Sequence, residues 1–341
     1  MTSSNQRLNR RFSVAPMIDV TDRHYRFLAR QLSQSTLLFT EMITTGAILN
    51  GDQEYLLGYA DVEHPVVLQL GGSNTQELEQ CARIGADYGY DEINLNVGCP
   101  SDKVQNNMIG ACLMAHPQLV SDCMSAIIET VNIPVTIKHR IGIDDVDSYD
   151  VLASFVDQVS QSGCDTFIVH ARNAILKGLS PKQNREIPPL QYDKVYRLKA
   201  DFPDLEIVIN GGIDNLDACK QHLQHVDGVM LGRAAYHNSA MLAQVDQQLF
   251  ASHLPVPERK AAALAYFAYM QQQHEKGTSL HHMSGHIMGL FQGIPGARAL
   301  RRHISDNIHG NNANIQVMYD ALDLVELSPT PIKALPKFGQ T

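Results

Sequence analysis

Short runs of β-branched and other apolar residues alternate with longer stretches of helical periodicity from residue 12 to about residue 250. The runs that predict strands are Phe12–Ala15, Leu37–Thr40, Val66–Leu70, Glu92–Asn96, Val135–His139, Thr166–His170, Ile207–Asn210 and Gly228–Leu231. Between them, apolar positions recur at helical spacing over Thr21–Leu32, Thr75–Tyr88, Tyr149–Ser162 and Asn238–Phe250. Asn74 stands at the N-cap of the second of these, with Glu77 in its first turn. Nearly continuous apolar strands separated by helices indicate a parallel sheet covered on its outer face. Eight such units in about 240 residues fit a (β/α)8 TIM barrel better than an open doubly wound sheet.

The pattern changes after residue 250. Leu254-Pro255-Val256-Pro257 reads as a linker, because two prolines forbid regular helix there. Beyond it, Glu258–Lys276 and Leu280–Arg302 are helical in pattern. A last helix is expected over Asn312–Leu327, and the tail with Pro329, Pro331 and Pro336 should be extended. The expected division is a barrel over residues 1–255 and a small helical domain over 256–341.

Composition narrows the class. Of 341 residues, 44% are hydrophobic and 18% charged, which allows a packed core and excludes wholesale disorder. No run approaches the ~18 consecutive apolar residues of a membrane span. Met1–Arg11 is polar, with no apolar stretch behind Arg7, Arg10 and Arg11, so it does not read as a secretory signal. The 6 cysteines stand singly, without a C-x-x-C pair, which points away from a metal site or a disulfide framework and toward a reducing cytoplasm. The net charge of −9 conceals an asymmetry: residues 256–341 carry 8 basic and 6 acidic side chains, the rest 19 basic and 30 acidic. Arg298, Arg301 and Arg302 are the densest cations of the positive end.

In such barrels the chemistry lies at the C-terminal ends of the strands, and phosphate groups favour the loops after strands seven and eight. Strand seven ends Asn210-Gly211-Gly212, where two glycines let backbone N–H groups approach an anion. Strand eight ends Gly232-Arg233, adding a cation suited to phosphate. Either could be an ordinary turn; together they favour a phosphate-bearing cofactor. Gln69, Lys138 and His170 stand at other strand ends. Lys138 either serves a ligand or reaches solvent beyond the mouth, since a buried unpaired ammonium is costly. His170 reads equally as a hydrogen-bonded core histidine. Cys99 follows strand four between Gly98 and Pro100, a loop position that suits a reactive thiol, as nucleophile or as acid.

Several strings carry a resemblance: Ala15-Pro16-Met17, Asn94-Leu95-Asn96-Val97-Gly98-Cys99-Pro100, Lys138-His139-Arg140, Ile168-Val169-His170-Ala171-Arg172, and Gly178-Leu179-Ser180-Pro181-Lys182-Gln183-Asn184-Arg185. With Asn210-Gly211-Gly212 and Gly232-Arg233, the chain resembles the tRNA-dihydrouridine synthases, A subfamily, from about residue 10 to 330. The resemblance implies FMN, recharged by NADPH, and reduction of uridines 20 and 20a in the D-loop of tRNA. It implies that Ala15, Pro16, Met17, Gln69, Lys138 and His170 contact the flavin, and that Asn210, Gly211, Gly212, Gly232 and Arg233 hold its phosphate. Cys99 would protonate C5 after hydride reaches C6. Asn96 and Arg185 would contact the target uridine, and Lys182, Arg298 and Arg301 would bind tRNA. Two other readings share some of these features: an FMN-dependent reductase of a small pyrimidine or enone, and a non-catalytic tRNA-binding protein. The first leaves the basic helical end without a role, and the second leaves Cys99 without one.

Overall fold

The eight apolar runs form eight strands: β1 (Phe12–Val14), β2 (Leu37–Thr44), β3 (Val66–Gly71), β4 (Glu92–Val97), β5 (Val135–Arg140), β6 (Thr166–His170), β7 (Glu206–Asn210) and β8 (Gly228–Leu231). The computed structural model describes residues 8–101, 108–309 and 313–327. Asn312, where the last helix was expected to start, and the tail with Pro329, Pro331 and Pro336 lie outside the described residues. Each strand pairs in parallel with the next, and β1 pairs with β8, so the sheet closes as a TIM barrel.

The strand pattern differs from expectation mainly at β2, which runs on to Thr44. Its register against β3 shifts between Phe39 and Met42, the mark of a bulge. There the Thr40 hydroxyl accepts from the Gln69 N–H at 3.0 Å, replacing a ladder bond. Glu41, inside the irregular stretch, interrupts the apolar run that the sequence pattern relies on.

Inward-facing positions recur every second residue along each strand. At mid-height they form an apolar belt that includes Leu37, Phe39, Val67, Ile168, Val208 and Met230. The floor of the barrel is ionic: Arg10 donates to Glu92 at 2.6 and 2.9 Å and to Glu206 at 2.9 Å. Among the helices between strands, Thr75–Asp87 begins as expected, with the Asn74 side chain accepting from the Glu77 N–H at 3.1 Å.

The chain forms two compact units. The first holds the chain up to Thr21, Leu37–Ile213 and Asp217–Gly232; the second holds Asp22–Thr36, Asp214–Leu216 and the chain from Arg233 onward. The irregular segment 251–258, which contains the expected linker, lies inside the second unit. In that unit Phe27 stacks on Tyr269 with ring centroids 4.0 Å apart, and the Tyr266 hydroxyl donates to the Met283 carbonyl at 2.8 Å. The stretch Asn238–Phe250 opens as a 3₁₀-helix over Ser239–Gln244 and becomes α-helical only over Val245–Phe250. The stretch Leu280–Arg302 is likewise not one helix. It comprises Leu280–Ser284, a 3₁₀-turn Gly285–Phe291, and a helix Ala297–Asn307. Pro295 cannot continue a helical hydrogen-bond ladder and biases Ile294 away from helical geometry, which separates the last two. No described helix is long and apolar enough to cross a membrane.

Candidate active site

A chain of side-chain hydrogen bonds climbs the inside of the barrel from floor to mouth. Thr136 donates to Glu92 at 2.5 Å and accepts from Asn94 at 2.8 Å. Asn94 accepts from Gln69 at 2.8 Å, and Gln69 accepts from Asn96 at 2.8 Å. At the top, the Asn96 side-chain oxygen accepts from the N–H groups of Gly98 and Cys99 at 3.1 and 3.0 Å. The turn that presents Cys99 is therefore anchored in the barrel wall. From its other side, the Cys99 carbonyl accepts from the Ala111 N–H at 2.8 Å. Cys99 itself is partly exposed, whereas Cys81, Cys123, Cys164 and Cys219 are buried.

On β5, Thr136, Lys138 and Arg140 share the inward face, and the last two lie close enough to Cys99 to interact with it electrostatically. Lys138 donates to the Asn210 side-chain oxygen at 3.2 Å. Burial and the neighbouring Arg140 push its ammonium down to about 7, with Cys99 acting in the opposite direction. Burial also holds His170 well below its usual value, reinforced by Arg140, Lys138, Arg172 and Arg185. Arg140 is lowered to about 10 by burial, with Cys99 opposing and Arg185 and Arg172 adding to the fall. The charges acting on Lys138, Arg140 and His170 are thus mostly cationic. A mouth of this kind has capacity for an anion.

Arg140 was quoted in a motif but given no role by sequence reasoning. In the structure it donates to the carbonyls of Gly98 at 3.1 Å, Asn173 at 3.2 Å and Asn184 at 3.0 Å. It thereby ties the Cys99 turn to the loop that carries Lys182 and Arg185, both exposed. Asn184, fully buried, braces that loop by donating to the Ile175 carbonyl at 2.9 Å and accepting from the Ile175 N–H at 2.7 Å. The period-2 alternation of β5 could have flagged Arg140; nothing local in the sequence distinguishes Asn184.

Asn210 ends β7 and donates to the Met230 carbonyl at 2.7 Å, joining the ends of β7 and β8. Gly211 and Gly212 follow with φ of 117° and 69°, where side chains are strained. A Cβ on Gly211 would stand 2.7 Å from the His170 ring, and one on Gly212 2.5 Å from Leu190. The Tyr192 hydroxyl, also missed from sequence, donates to the Gly211 carbonyl at 2.7 Å. Because that peptide is planar and trans, the Gly212 N–H points the opposite way. Beside β8, a Cβ on Gly232 would be 3.4 Å from the Met17 sulfur and 3.6 Å from Ala15, so the loop with Pro16 borders Gly232. Arg233, the next residue, is exposed and opens the helix Arg233–His237.

Gln69 and Asn96, expected to face ligands, also spend their amides inside the wall: Gln69 donates to Asn94 and accepts from Asn96, and Asn96 accepts from the Cys99 turn. In the second unit, helix Ala297–Asn307 buries Ala297, Leu300 and Ile304. Arg298 is exposed, Arg301 donates to Gln292 at 2.7 Å, and Arg302 pairs with Asp306 at 3.5 Å.

The dihydrouridine synthase family model matches residues 13–326. Among curated proteins, the tRNA-dihydrouridine(20/20a) synthase of Pseudomonas aeruginosa is 56% identical over 324 residues, covering 95% of this chain and 98% of its own length. Those of Shewanella oneidensis and Escherichia coli K12 are 56% and 57% identical, covering 95% and 92% of this chain and 96% and 91% of their own lengths. With a closed eight-stranded barrel, a thiol anchored at its mouth and likeness along nearly its whole length, this chain belongs to the dihydrouridine synthase family.

Proposed function

We propose that this chain reduces uridines 20 and 20a of the tRNA D-loop to 5,6-dihydrouridine in the cytoplasm, using FMN and NADPH. The observation that carries this reading is the partly exposed Cys99, its turn fixed by Asn96 at a barrel mouth that also presents Lys138 and Arg140. The residues present suit FMN: Gly211 and Gly212 leave no room for a Cβ where a phosphate needs backbone donors, and the cationic wall suits an anionic ring. Asn210, Gly211, Gly212, Gly232 and Arg233 would hold the phosphate. Ala15, Pro16, Met17, Gln69, Lys138 and His170 would border the ring. Bound there, FMN would supply the hydride, with NADPH as the source of its electrons.

The C5=C6 bond of uridine is conjugated to the C4 carbonyl, so C6 is electrophilic and the charge that follows reduction extends to O4. The Cys99 Sγ–H gives its proton to C5. Asn96 and Arg185 would contact the base, which must first leave any stack. Lys182, Arg298 and Arg301 would position the RNA through its phosphates.

Nucleoside analysis of tRNA from a strain lacking this gene tests the reading. Dihydrouridine at positions 20 and 20a should disappear and return with the wild-type chain. Retention at both positions would reject it, and equal turnover of free uridine would favour a small-molecule reductase. Gly212→Ala should weaken FMN binding about tenfold or more, because a left-handed backbone costs a side chain about 1–2 kcal/mol and Leu190 blocks the Cβ. Riboflavin, which lacks the phosphate, should bind the variant and the wild type alike; equal loss for both ligands would place Gly212 outside the phosphate site.

Replacing Arg298 and Arg301 together should weaken tRNA binding and reduce the slope of log K against log salt by about 0.7–0.9 for each lost phosphate contact. FMN content should stay intact. An unchanged slope together with a lower melting temperature would show that the two arginines serve folding instead.

A further inference from the structure

The cysteine pattern pointed away from a metal site, but histidines distant in sequence gather in the second unit. Asp22 and His24 flank the start of helix Arg23–Leu32, and His282 and His286 lie four residues apart about 260 positions later. The Asp22 carboxylate is 3.1 Å from His282 Nε2 and 3.2 Å from His286 Nε2. One donor atom from each of Asp22, His24 and His282 fits within 4.8 Å of the others. We propose that Asp22, His24 and His282 form a binding site for a divalent transition-metal ion of the zinc class.

The donor set is the one such ions take: neutral imidazoles and a carboxylate. Tetrahedral zinc, with bonds of about 2.0–2.2 Å, sets neighbouring donors about 3.3–3.5 Å apart. The Asp22–His282 edge is already close to that length. His24 has about 1.4 Å at most to move inward. Its Nδ1 lies 2.8 Å from the Tyr269 hydroxyl, an outer partner of the sort that orients metal-binding rings. His282 is 58% exposed, which gives the ion a way in from solvent. Within the second unit the ion would join the start of helix Arg23–Leu32 to the segment 282–286. The site's role would be structural, since it uses none of the residues placed at the barrel mouth.

The competing reading is a purely hydrogen-bonded cluster in which Asp22 caps the helix, accepting from the Tyr25 N–H at 2.8 Å, and pairs with His282 and His286. Titration separates the two. Full-length protein treated with EDTA and dialysed is titrated with Zn²⁺ in competition with a chromophoric chelator. The wild type should bind one equivalent, and His282→Ala, at an exposed position that should not unfold, should bind at least tenfold more weakly. His281→Ala, the exposed neighbour outside the cluster, should match the wild type. Co²⁺ should give the intense visible absorption of a tetrahedral site in the wild type, absent in His282→Ala. Zn²⁺ should raise the melting temperature of the wild type more than that of His282→Ala. No saturable uptake, or equal uptake by wild type and His282→Ala, overturns the proposal.

Discussion

Cys99→Ala should slow uridine reduction by about 10²–10⁴-fold, the range that a positioned general acid contributes. FMN and tRNA binding should persist. The side chain removed is partly exposed, and the turn is held through backbone groups: the Cys99 N–H by Asn96 and the Cys99 carbonyl by Ala111. The methyl of alanine disturbs neither bond. What goes is the proton that the thiol would give to C5. Cys99→Ser keeps a hydroxyl, a much weaker acid than a thiol, so it should fall between wild type and alanine. The measurement is single-turnover oxidation of pre-reduced enzyme by tRNA without oxygen, followed by flavin absorbance. Near wild-type rates in Cys99→Ala would remove Cys99 from the proton-transfer step.

The barrel was legible in sequence because its strands are short apolar runs bounded by turns, and the closure of eight such units has few alternatives. The strand ends carrying Asn210, Gly211, Gly212, Lys138 and Cys99 were legible for a related reason. Polar residues and paired glycines are conspicuous at the end of an apolar strand. The supports of the site were not. Gln69, Asn94 and Asn96 form a ladder only because the pairing of β3 with β4 sets Gln69 opposite Asn94 and within reach of Asn96, which is a matter of register between strands and not of pattern within one. Tyr192 and Asn184 act through the carbonyls of Gly211 and Ile175, so their partners are backbone atoms that no motif displays. Helical periodicity misled over Leu280–Arg302, where apolar spacing continues across a proline that stops the helix. The cluster of Asp22, His24, His282 and His286 escaped notice because its halves lie at opposite ends of the chain.

Arg10→Met should destabilise the protein by about 3–5 kcal/mol near neutral pH, the usual cost of leaving a buried charge without its partner. Arg10 is 4% exposed and Glu92 fully buried, and the guanidinium spans Glu92 and Glu206 at the barrel floor. Burial holds the Glu92 carboxyl above its ordinary value even with Arg10 opposing. Without Arg10 that rise must grow, and the sign of the pH dependence follows. A carboxyl whose folded-state pKa exceeds its unfolded value of about 4.3 favours the fold while protonated, and that support is lost as pH rises through the folded pKa. The destabilisation should therefore be smaller at pH 5 than at pH 7.5. Adding Glu92→Gln to Arg10→Met should recover part of the loss at pH 7.5, because an amide can still accept from Thr136 and carries no charge to strand. Urea denaturation of the single and double variants at both pH values measures these differences. A loss independent of pH, and not relieved by Glu92→Gln, would mean that the Arg10 side chain acts by filling the floor, with its charge immaterial.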